Sequence, residues 1–305
     1  MKTKNLIHKT AVLIVLPVAL AFGSAGKTKA QAVAQIIFQA NVAVSQRTSY
    51  SQIFSMNPDG TGLAQLTSAN ASACAPRWSP GQQYIAFWRS QTLYVMEAKG
   101  EANGGRSFAV APAGAYGSDW SPDGANLVFR GTNGGLYIVA LNAAAGTVGT
   151  PVLFRPGHYY DPSWSPDGTR IAFWGDDDGS TNELIHVRNV TTGAEISFGA
   201  ASYHNYVPQW SPDGTQIAFT GPVTVTTKTR KGTAMTTYQE IFLAQADGSG
   251  VSQVTYWSSD TRYATWSPDG TTLAFNVNGG LYKMLLGSNA ATLLVSGGNN
   301  PDWNP

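Results

Sequence analysis

The fold of this chain is decided by a motif that reads Trp164-Ser165-Pro166-Asp167-Gly168, followed by the apolar stretch Ile171-Ala172-Phe173. Related copies begin at Trp78, Trp120, Trp210 and Trp266, and a truncated copy, Trp303-Asn304-Pro305, ends the sequence. Successive tryptophans are 42, 44, 46, 56 and 37 residues apart. A repeat of this length accommodates four short strands.

The residues after each tryptophan predict a tight turn. Proline presets φ at the second turn position, aspartate accepts hydrogen bonds from nearby backbone amides, and glycine takes the left-handed conformation. Four turns carry an aspartate, which we interpret as a turn former and not as part of a carboxylate cluster: Asp123, Asp167, Asp213 and Asp269. The tryptophan itself is large and flat enough to fill the gap between two sheets.

Three further elements recur in phase with the motif: a second strand of the Ile-Ala-Phe type, a third strand such as Leu93 to Met96, and an edge strand such as Gln253 to Thr255. The sixth unit is split between the chain ends. Its first strand is Pro301-Asp302-Trp303, and its other strands are the segments 36–38, 53–56 and 65–67. The sequence therefore predicts an all-β fold, a six-bladed β-propeller over residues 33–305, whose last blade is closed by the C-terminal strand plus three N-terminal strands.

The repeated Trp-Ser-Pro-Asp-Gly-x-x-Ile-Ala-Phe pattern resembles the PD40, WD40-like repeats of TolB-like six-bladed propellers. The resemblance covers about residues 36 to 305; its six in-phase copies are specific for the fold and say little about function. TolB itself carries an extra domain before its propeller and works with the envelope lipoprotein Pal. Only a few residues precede Ile36 after the predicted cleavage site, so we expect a TolB-like propeller without that domain.

The N-terminus is predicted to be a signal peptide spanning residues 1–32. Lys2, Lys4 and Lys9 precede an apolar run from Ala11 to Ala21, and Ala30-Gln31-Ala32 has the small-residue pattern of a cleavage site. The apolar run is shorter than the ~20 residues that span a bilayer. We therefore expect an exported protein, periplasmic or secreted, that does not span the membrane.

The charge balance argues against nucleic acid as a partner. Residues 33–305 hold 14 basic and 18 acidic side chains, whereas phosphate binding requires a clustered positive surface. The single cysteine, Cys74, cannot form an intramolecular disulfide. No Gly-x-Ser-x-Gly nucleophile motif occurs after the signal segment, so a serine peptidase is not expected.

Aromatic and polar residues cluster in the loops that lead into the Trp-bearing strands, and we predict that these loops share one face around the channel mouth. An aromatic ring of this kind suits contact with a sugar or a peptide, or packing that plugs the channel. The candidate partner-binding residues on this face are Tyr116, His158, Tyr160, His204, Tyr206, Trp257, Asp260, Arg262 and Tyr263.

Two ion sites are weaker hypotheses. His158, His204 and Asp260 each lie six residues before a repeat tryptophan, and such a set could hold a catalytic metal. Asp176 and Asp178 lie in an acidic hairpin tip whose oxygens could bind calcium, although their spacing does not match an EF-hand loop. Otherwise no cofactor is expected.

The long interval between Trp210 and Trp266 predicts a protruding β-hairpin with a basic tip formed by Lys228, Arg230 and Lys231. Such a ribbon could grip a partner, or it could be a solvated arm whose charges prevent aggregation. The sequence thus favours a non-enzymatic module that binds an envelope or extracellular protein, or a glycan. The alternative is a metal-dependent carbohydrate lyase or hydrolase that uses the two histidines and Asp260.

Overall fold

The computed structural model describes residues 35–68, 70–112, 117–176, 183–200, 204–229, 232–288 and 290–303. Strands dominate this part of the chain, and its only helical segment is one 3-10 turn at Glu101–Asn103. Among the described residues, no helix has the length and apolarity needed to cross a membrane. The predicted signal segment lies outside the described residues.

The strands form six antiparallel sheets within the described residues, numbered here as blades. Blade 1 contains β4 (Ala73–Trp78), β5 (Tyr84–Arg89), β6 (Thr92–Glu97) and β7 (Ser107–Pro112). Blade 2 contains β8 (Ser118–Trp120), β9 (Asn126–Arg130), β10 (Leu136–Asn142), β11 (Thr147–Val148) and β12 (Val152–Arg155). Blade 3 contains β13 (His158–Trp164), β14 (Arg170–Asp176), β15 (Leu184–Asn189) and β16 (Glu195–Phe198).

The remaining sheets follow the same plan. Blade 4 contains β17 (Tyr206–Trp210), β18 (Gln216–Thr229), β19 (Gly232–Gln245) and β20 (Ser252–Gln253). Blade 5 contains β21 (Thr261–Trp266), β22 (Thr272–Val277), β23 (Gly280–Leu285) and β24 (Ala291–Ser296). Blade 6 joins β25 (Gly298–Trp303) to β1 (Ile36–Ala43), β2 (Ser49–Met56) and β3 (Ala64–Gln65).

The blades close into a ring around their first strands. These inner strands contact one another in the order β4, β8, β13, β17, β21, β25 and back to β4. In blade 6 the C-terminal strand pairs with the N-terminal one, with Ile36 opposite Trp303 and Ile37 opposite Asp302. The predicted six-bladed propeller, closed by the C-terminal strand plus three N-terminal strands, is confirmed.

Within the described residues, each repeat tryptophan lies in an apolar cluster between neighbouring blades, and a seventh cluster, around Phe219 and Phe242, lacks one. Trp120 of blade 2, for example, packs with Val95 and Phe129, and Trp303 packs with Phe38 and with Leu281 of blade 5. All six tryptophans are buried. Each one covers the sheet of the preceding blade, as the motif predicts.

The turns after the tryptophans have the expected chemistry. In blade 2 the Asp123 carboxylate accepts hydrogen bonds from the Ser121 hydroxyl (2.5 Å) and the Ala125 amide (3.0 Å), while Gly124 has φ 69°. These hydrogen bonds hold the pKa of Asp123 below its usual value. Blades 3, 4 and 5 repeat the arrangement, so these aspartates are turn formers.

Candidate functional site

The inner strands share a left-handed residue three positions before each repeat tryptophan. Five of the six residues at this position are not glycine, and the set is Ala75 (φ 50°), Gly117 (102°), Asp161 (40°), Val207 (52°), Tyr263 (59°) and Asn300 (47°). Five inner strands also shift register by one residue here, which defines a β-bulge. We call these six residues the bulge ring.

Positive φ at a β-branched residue such as Val207 is strained and persists only where the surrounding structure imposes it. At Gly117 the reason for glycine is visible, since an added Cβ would lie 2.6 Å from Oδ1 of Asp161. The bulge ring therefore brings backbone and side chains of different blades into close contact near the axis. Strained positions of this kind often accompany functional sites.

A cavity of about 580 Å³ opens at the bulge ring, on the face that carries the loops leading into the inner strands. We call this face the aromatic face and the cavity the mouth cavity. Blades 1, 3, 5 and 6 line it with amide, hydroxyl and aromatic side chains, one thiol and one carboxyl group: Gln39, Asn41, Ser51, Ser72, Cys74, Trp88, Tyr160, Asp161, Trp174, Tyr263 and Asn300. A smaller pocket of about 190 Å³, which shares Asp161 and Trp174, extends it toward Tyr206 and Arg262.

A stack of aromatic rings forms one wall of the mouth cavity. Tyr160 and Trp174 face each other across β13 and β14, with ring centroids 4.4 Å apart and planes 17° apart. Arg130 lies 4.2 Å from the Tyr160 ring centroid, and Tyr206 meets Trp174 edge-on at 4.8 Å. A neighbouring side chain thus covers part of each ring in the stack.

Asp161 is a carboxyl group of the mouth that the sequence did not single out. Its Oδ2 accepts a hydrogen bond from the Trp174 indole at 2.8 Å. Burial raises the pKa of Asp161, an effect that the Trp174 hydrogen bond and the charges of Arg77 and Arg130 oppose. The mouth thus contains one desolvated carboxyl group among neutral polar side chains.

His204 and Tyr206 form a second polar group beside the stack. The Tyr206 hydroxyl lies 2.8 Å from His204 Nδ1, which is also 3.1 Å from a Glu183 carboxylate oxygen. Burial and the negative charge of Glu183 raise the pKa of Tyr206 to about 12. Tyr206 therefore stays a neutral phenol across the physiological pH range.

In the part of the chain that the structure describes, no three His, Cys, Asp or Glu side chains come together as metal ligands, and His158, His204 and Asp260 are not grouped. His204 instead contacts Glu183 and Tyr206, while Asp260 pairs with Arg262 at 3.2 Å. His158 is exposed at the start of β13, in register with Asp176. The three residues share the same spacing from a repeat tryptophan, but their side chains have different neighbours and do not meet at one point.

Some of the other candidate partner-binding residues line the mouth cavity and some do not. Tyr160, Tyr206, Arg262 and Tyr263 line the mouth cavity or its side pocket. Trp257 does not line either one, because it packs against Phe275 and Tyr282 in the outer part of blade 5. Tyr116, Asp178, Arg230 and Lys231 lie outside the described residues.

Sequence reasoning missed Trp88 and Trp174, although a signal was present. Both follow an Ile-Ala-Phe stretch directly, and pairing places them opposite Cys74 and Tyr160, four residues before the repeat tryptophans. Asp161 and Asn300 could have been found only by allowing for the one-residue bulge, which no single copy of the repeat indicates.

The predicted hairpin is present as the extension of β18 and β19. Residues 222–228 pair with residues 233–239 in perfect register and with no other strand among the described residues. We call this extension the ribbon; at ~3.3 Å per residue it projects about 25 Å from blade 4. The ribbon extends from the ends of β18 and β19 that lie on the aromatic face, and residues 221–239 contain three basic and no acidic side chains.

Comparison with known proteins agrees with this architecture. Residues 160–305 match the PD40 family, described as the TolB beta propeller domain. Putative TolB from Agrobacterium tumefaciens superposes with a TM-score of 0.64 at 21% identity, over 88% of this chain and 90% of that one. TolB from Acinetobacter baumannii gives 0.65 at 18% identity, over 89% of this chain and 67% of that one.

Hydrazine synthase from Kuenenia stuttgartiensis is a more distant structural neighbour, with a TM-score of 0.54 at 12% identity over 77% of this chain and 70% of that chain. A comparison with curated proteins found no match. Identities this low establish the fold and leave the ligand open. The repeat motifs, the ring closure and these comparisons together show a six-bladed β-propeller with the fold of the TolB structures, and residues 160–305 of the chain match the PD40 family.

Proposed function

We propose that this chain is an exported, non-enzymatic module that binds an extended, acidic segment of an envelope or extracellular protein on its aromatic face. The mouth cavity would receive side chains of that segment, and the ribbon would hold its backbone or its acidic groups. The observation that carries the proposal is the mouth cavity, a concave site built by loops of several blades around a rigid ring.

The size and chemistry of the mouth cavity suit a peptide. Its volume of about 580 Å³ lies within the range of ligand pockets and exceeds what one buried side chain needs. Amides such as Gln39 and Asn41 can bond both the N–H and the C=O of a peptide. The Gln39 side chain already accepts a backbone N–H, that of Ala75, at 2.7 Å.

The ribbon supports an extended and acidic partner. Its outer edges offer backbone donors and acceptors in the arrangement that β-strand addition uses. Lys228 is exposed, and with Arg230 and Lys231 it gives the ribbon a net positive charge, which favours a negatively charged segment. Val223 at the base packs against the cluster formed by Ile185, Phe219 and Phe242, which anchors the ribbon to its blade.

A protein partner is favoured over a glycan because of the aromatic stack. Carbohydrate sites present open aromatic faces to the sugar, whereas Tyr160 lies between Arg130 and Trp174. Two TolB structures superpose over 88% and 89% of this chain, which also favours a protein-binding role. A metal-dependent lyase or hydrolase gains no support, since the three side chains it needs do not converge in the described chain.

Export to the periplasm or the medium is part of the same proposal. It rests on the basic, apolar and small-residue pattern of residues 1–32 and on the TolB-like fold.

Affinity capture followed by competition tests the proposal. The purified protein is immobilised and exposed to an envelope extract and, separately, to a culture filtrate, and captured proteins are identified by mass spectrometry. The Tyr263→Ala variant alters the mouth, and Lys228→Glu reverses a charge on the ribbon. Both are expected to weaken binding of the captured partner by about tenfold or more.

Lys99→Glu is the matched control for Lys228→Glu, because Lys99 is an exposed lysine near the 3-10 turn, on the opposite face. It should bind like the wild type. Equal binding by Tyr263→Ala, Lys228→Glu and Lys99→Glu would reject the aromatic face as the binding surface. Capture of a polysaccharide in place of a protein would replace the protein proposal with the glycan one.

A further inference from the structure

The side pocket of about 190 Å³ lies beside the mouth cavity, where blades 3, 4 and 5 meet at the bulge ring. Ala218 of β18 belongs to the apolar cluster of Trp266 in blade 5, whereas its neighbour Phe219 belongs to a cluster shared with blade 3. Because side chains alternate along a strand, Thr220 faces blade 5 as Ala218 does. The residues that line the pocket with Thr220 are Asp161, Trp174, Tyr206, Val207, Arg262 and Tyr263.

A short side chain at position 220 leaves this space open. The equivalent residue of each blade lies three positions after the strand partner of the repeat tryptophan, and the set is Gln39, Trp88, Arg130, Trp174, Thr220 and Asn276. Two of these side chains reach the next inner strand: Gln39 accepts from the Ala75 amide at 2.7 Å, and Asn276 donates to Gly298 O at 2.6 Å. Thr220 has the shortest side chain of the six and makes no such bridge within the described residues.

Two residues of the side pocket each have a buried polar atom without a hydrogen-bond partner in the described part of the chain. These atoms are the hydroxyl oxygen of Thr220, a residue that is 1% exposed, and Nε of Arg262. Buried polar atoms without partners are uncommon in folded proteins and call for an explanation such as a bound group. An arginine Nε can only donate, whereas a hydroxyl can donate or accept, so the group that completes this pocket must carry an acceptor.

The charges around the side pocket disfavour an ionised ligand. Arg262 is the only cation that lines it among the described residues, and its Nη2 already pairs with Asp260 at 3.2 Å. Asp161 lines the same pocket, and the charge of Glu183 acts on the hydroxyl of Tyr206. A carboxylate would add a negative charge to three acidic side chains and one arginine, whereas an ammonium could not accept from Nε.

A primary carboxamide, the end of a glutamine or asparagine side chain, matches these groups. Its oxygen can accept from Nε of Arg262, and its nitrogen can donate to the Thr220 hydroxyl and to the Asp161 carboxyl group. The pocket volume is several times the ~30 Å³ of one water molecule, so a whole side chain can enter.

We propose that the side pocket binds the carboxamide of a glutamine or asparagine in the segment that occupies the mouth cavity. The alkyl stem of that residue would lie against the rings of Trp174, Tyr206 and Tyr263. The inference rests on the protein-binding role proposed above and deepens it, since it names one side chain that the partner carries.

Nuclear magnetic resonance titration with a small amide tests the inference without the unidentified partner. The probe is Nα-acetyl-glutamine methylamide, added to the purified ¹⁵N-labelled protein. The reporter is the indole N–H of Trp174, which lines the pocket and donates to Asp161, and the variant Trp174→Phe identifies its signal. We expect a saturable shift with millimolar affinity, as suits so small a ligand. The matching glutamate and methionine probes, which replace the amide by a carboxylate or an apolar group, should bind about tenfold more weakly or worse.

Two substitutions at position 220 separate the pocket from the fold. Thr220→Val keeps the shape and removes a hydroxyl that lacks a partner, so it should weaken the glutamine probe about fivefold or more while the melting temperature does not fall. Thr220→Trp introduces the residue that blades 1 and 3 carry at this position, and it should fill the pocket and abolish binding. Thr292→Val is the matched control, since Thr292 is an exposed threonine outside both cavities, and it should leave affinity unchanged.

The inference is overturned by a linear response to the glutamine probe, by equal affinity for the glutamate or methionine probe, or by wild-type affinity in Thr220→Val. Its failure is separate from failure of the binding role. A partner captured through Lys228, together with no response to the glutamine probe, would keep the aromatic-face function and reject the carboxamide pocket. A saturable response that Thr220→Val weakens, without any captured partner, would support the pocket and reject the protein-binding role.

Discussion

Ring closure by the C-terminal strand leads to a quantitative prediction for Trp303→Ala. Trp303 is 8% exposed and packs with Ile36, Phe38, Ala274 and Leu281, which come from both ends of the chain. A tryptophan buries roughly 200 Å², so at ~25 cal/mol per Å² its burial contributes about 5 kcal/mol. Measured truncations of buried tryptophan to alanine cost about 3–5 kcal/mol, and we expect a loss of about 4 kcal/mol here.

That loss is a large part of the ~5–15 kcal/mol by which natural domains are stable. It should lower the melting temperature by about 10 °C, measured by calorimetry and by circular dichroism, with urea unfolding to give the free energy. Deleting residues 301–305 also removes the pairing of β25 with β1 and should destabilise the whole ring further.

Leu293→Ala is the control, because Leu293 is a neighbouring blade 5 residue that is 50% exposed. It should change the free energy of unfolding by no more than about 0.5 kcal/mol. If Trp303→Ala melts within about 2 °C of the wild type, or if truncation at residue 300 leaves melting unchanged, the closure of the ring does not support its stability and the reasoning fails.

Three further predictions concern pH, the bulge ring and export. The raised pKa values of Asp119 (about 7) and Asp302 (about 6) mean that the folded protein holds these protons more tightly than the unfolded chain. Their contribution to stability should be complete below pH ~4 and lost as the pH rises through 6 to 7. Urea unfolding at several pH values between 4 and 7 should show this loss, and the free energy of unfolding should fall less steeply with pH in Asp302→Asn. Gly117→Ala should destabilise the protein by about 2 kcal/mol or more, because φ is 102° and the new Cβ would meet Asp161, and a calorimetric melt equal to the wild type would contradict this. N-terminal sequencing of the exported protein should begin at Val33, and recovery of an intact Met1 terminus outside the cytoplasm would disprove cleavage.

An ionic cluster in blade 3 should give stability the opposite pH dependence to that expected from Asp119 and Asp302. Glu195 in blade 3 accepts from Arg155, Arg188 and His186, and these partners lower its pKa to about 2 against the effect of burial. Its contribution to stability is present above pH ~4.5 and is lost in acid. The protein should therefore be most stable at mildly acidic pH, above the titration of Glu195 and below that of the channel carboxyl groups.

Much of the aromatic face could be anticipated because hairpin topology is predictable. Once the strand order is known, the loops before the inner strands must share a face with the connection between β18 and β19, so Tyr160, Tyr206 and the ribbon were assigned to one side of the ring. The convergence of His158, His204 and Asp260 could not be judged this way. His158 begins β13, whereas His204 and Asp260 lie in loops, and the side chains of these two are positioned by local partners such as Glu183 and Arg262.

The amino-acid sequence by itself determined the number of blades, the closure of blade 6 and the turn chemistry. The blades and their turns depend on contacts within about fifty residues, which repeat along the chain and so appear as a period. The closure of blade 6 pairs Ile36 with Trp303, and it was predictable because each chain end carries the part of one repeat that the other end lacks. Only the tertiary structure decided what lies on the axis: the bulge ring, the stack of Tyr160 on Trp174, and the carboxyl groups of Asp119 and Asp302. The bulge ring and the two carboxyl groups bring together residues of different blades, whereas the stack lies within blade 3 beside the register shift of β13. The single extra residue in five of the inner strands changes which side chain arrives at the axis.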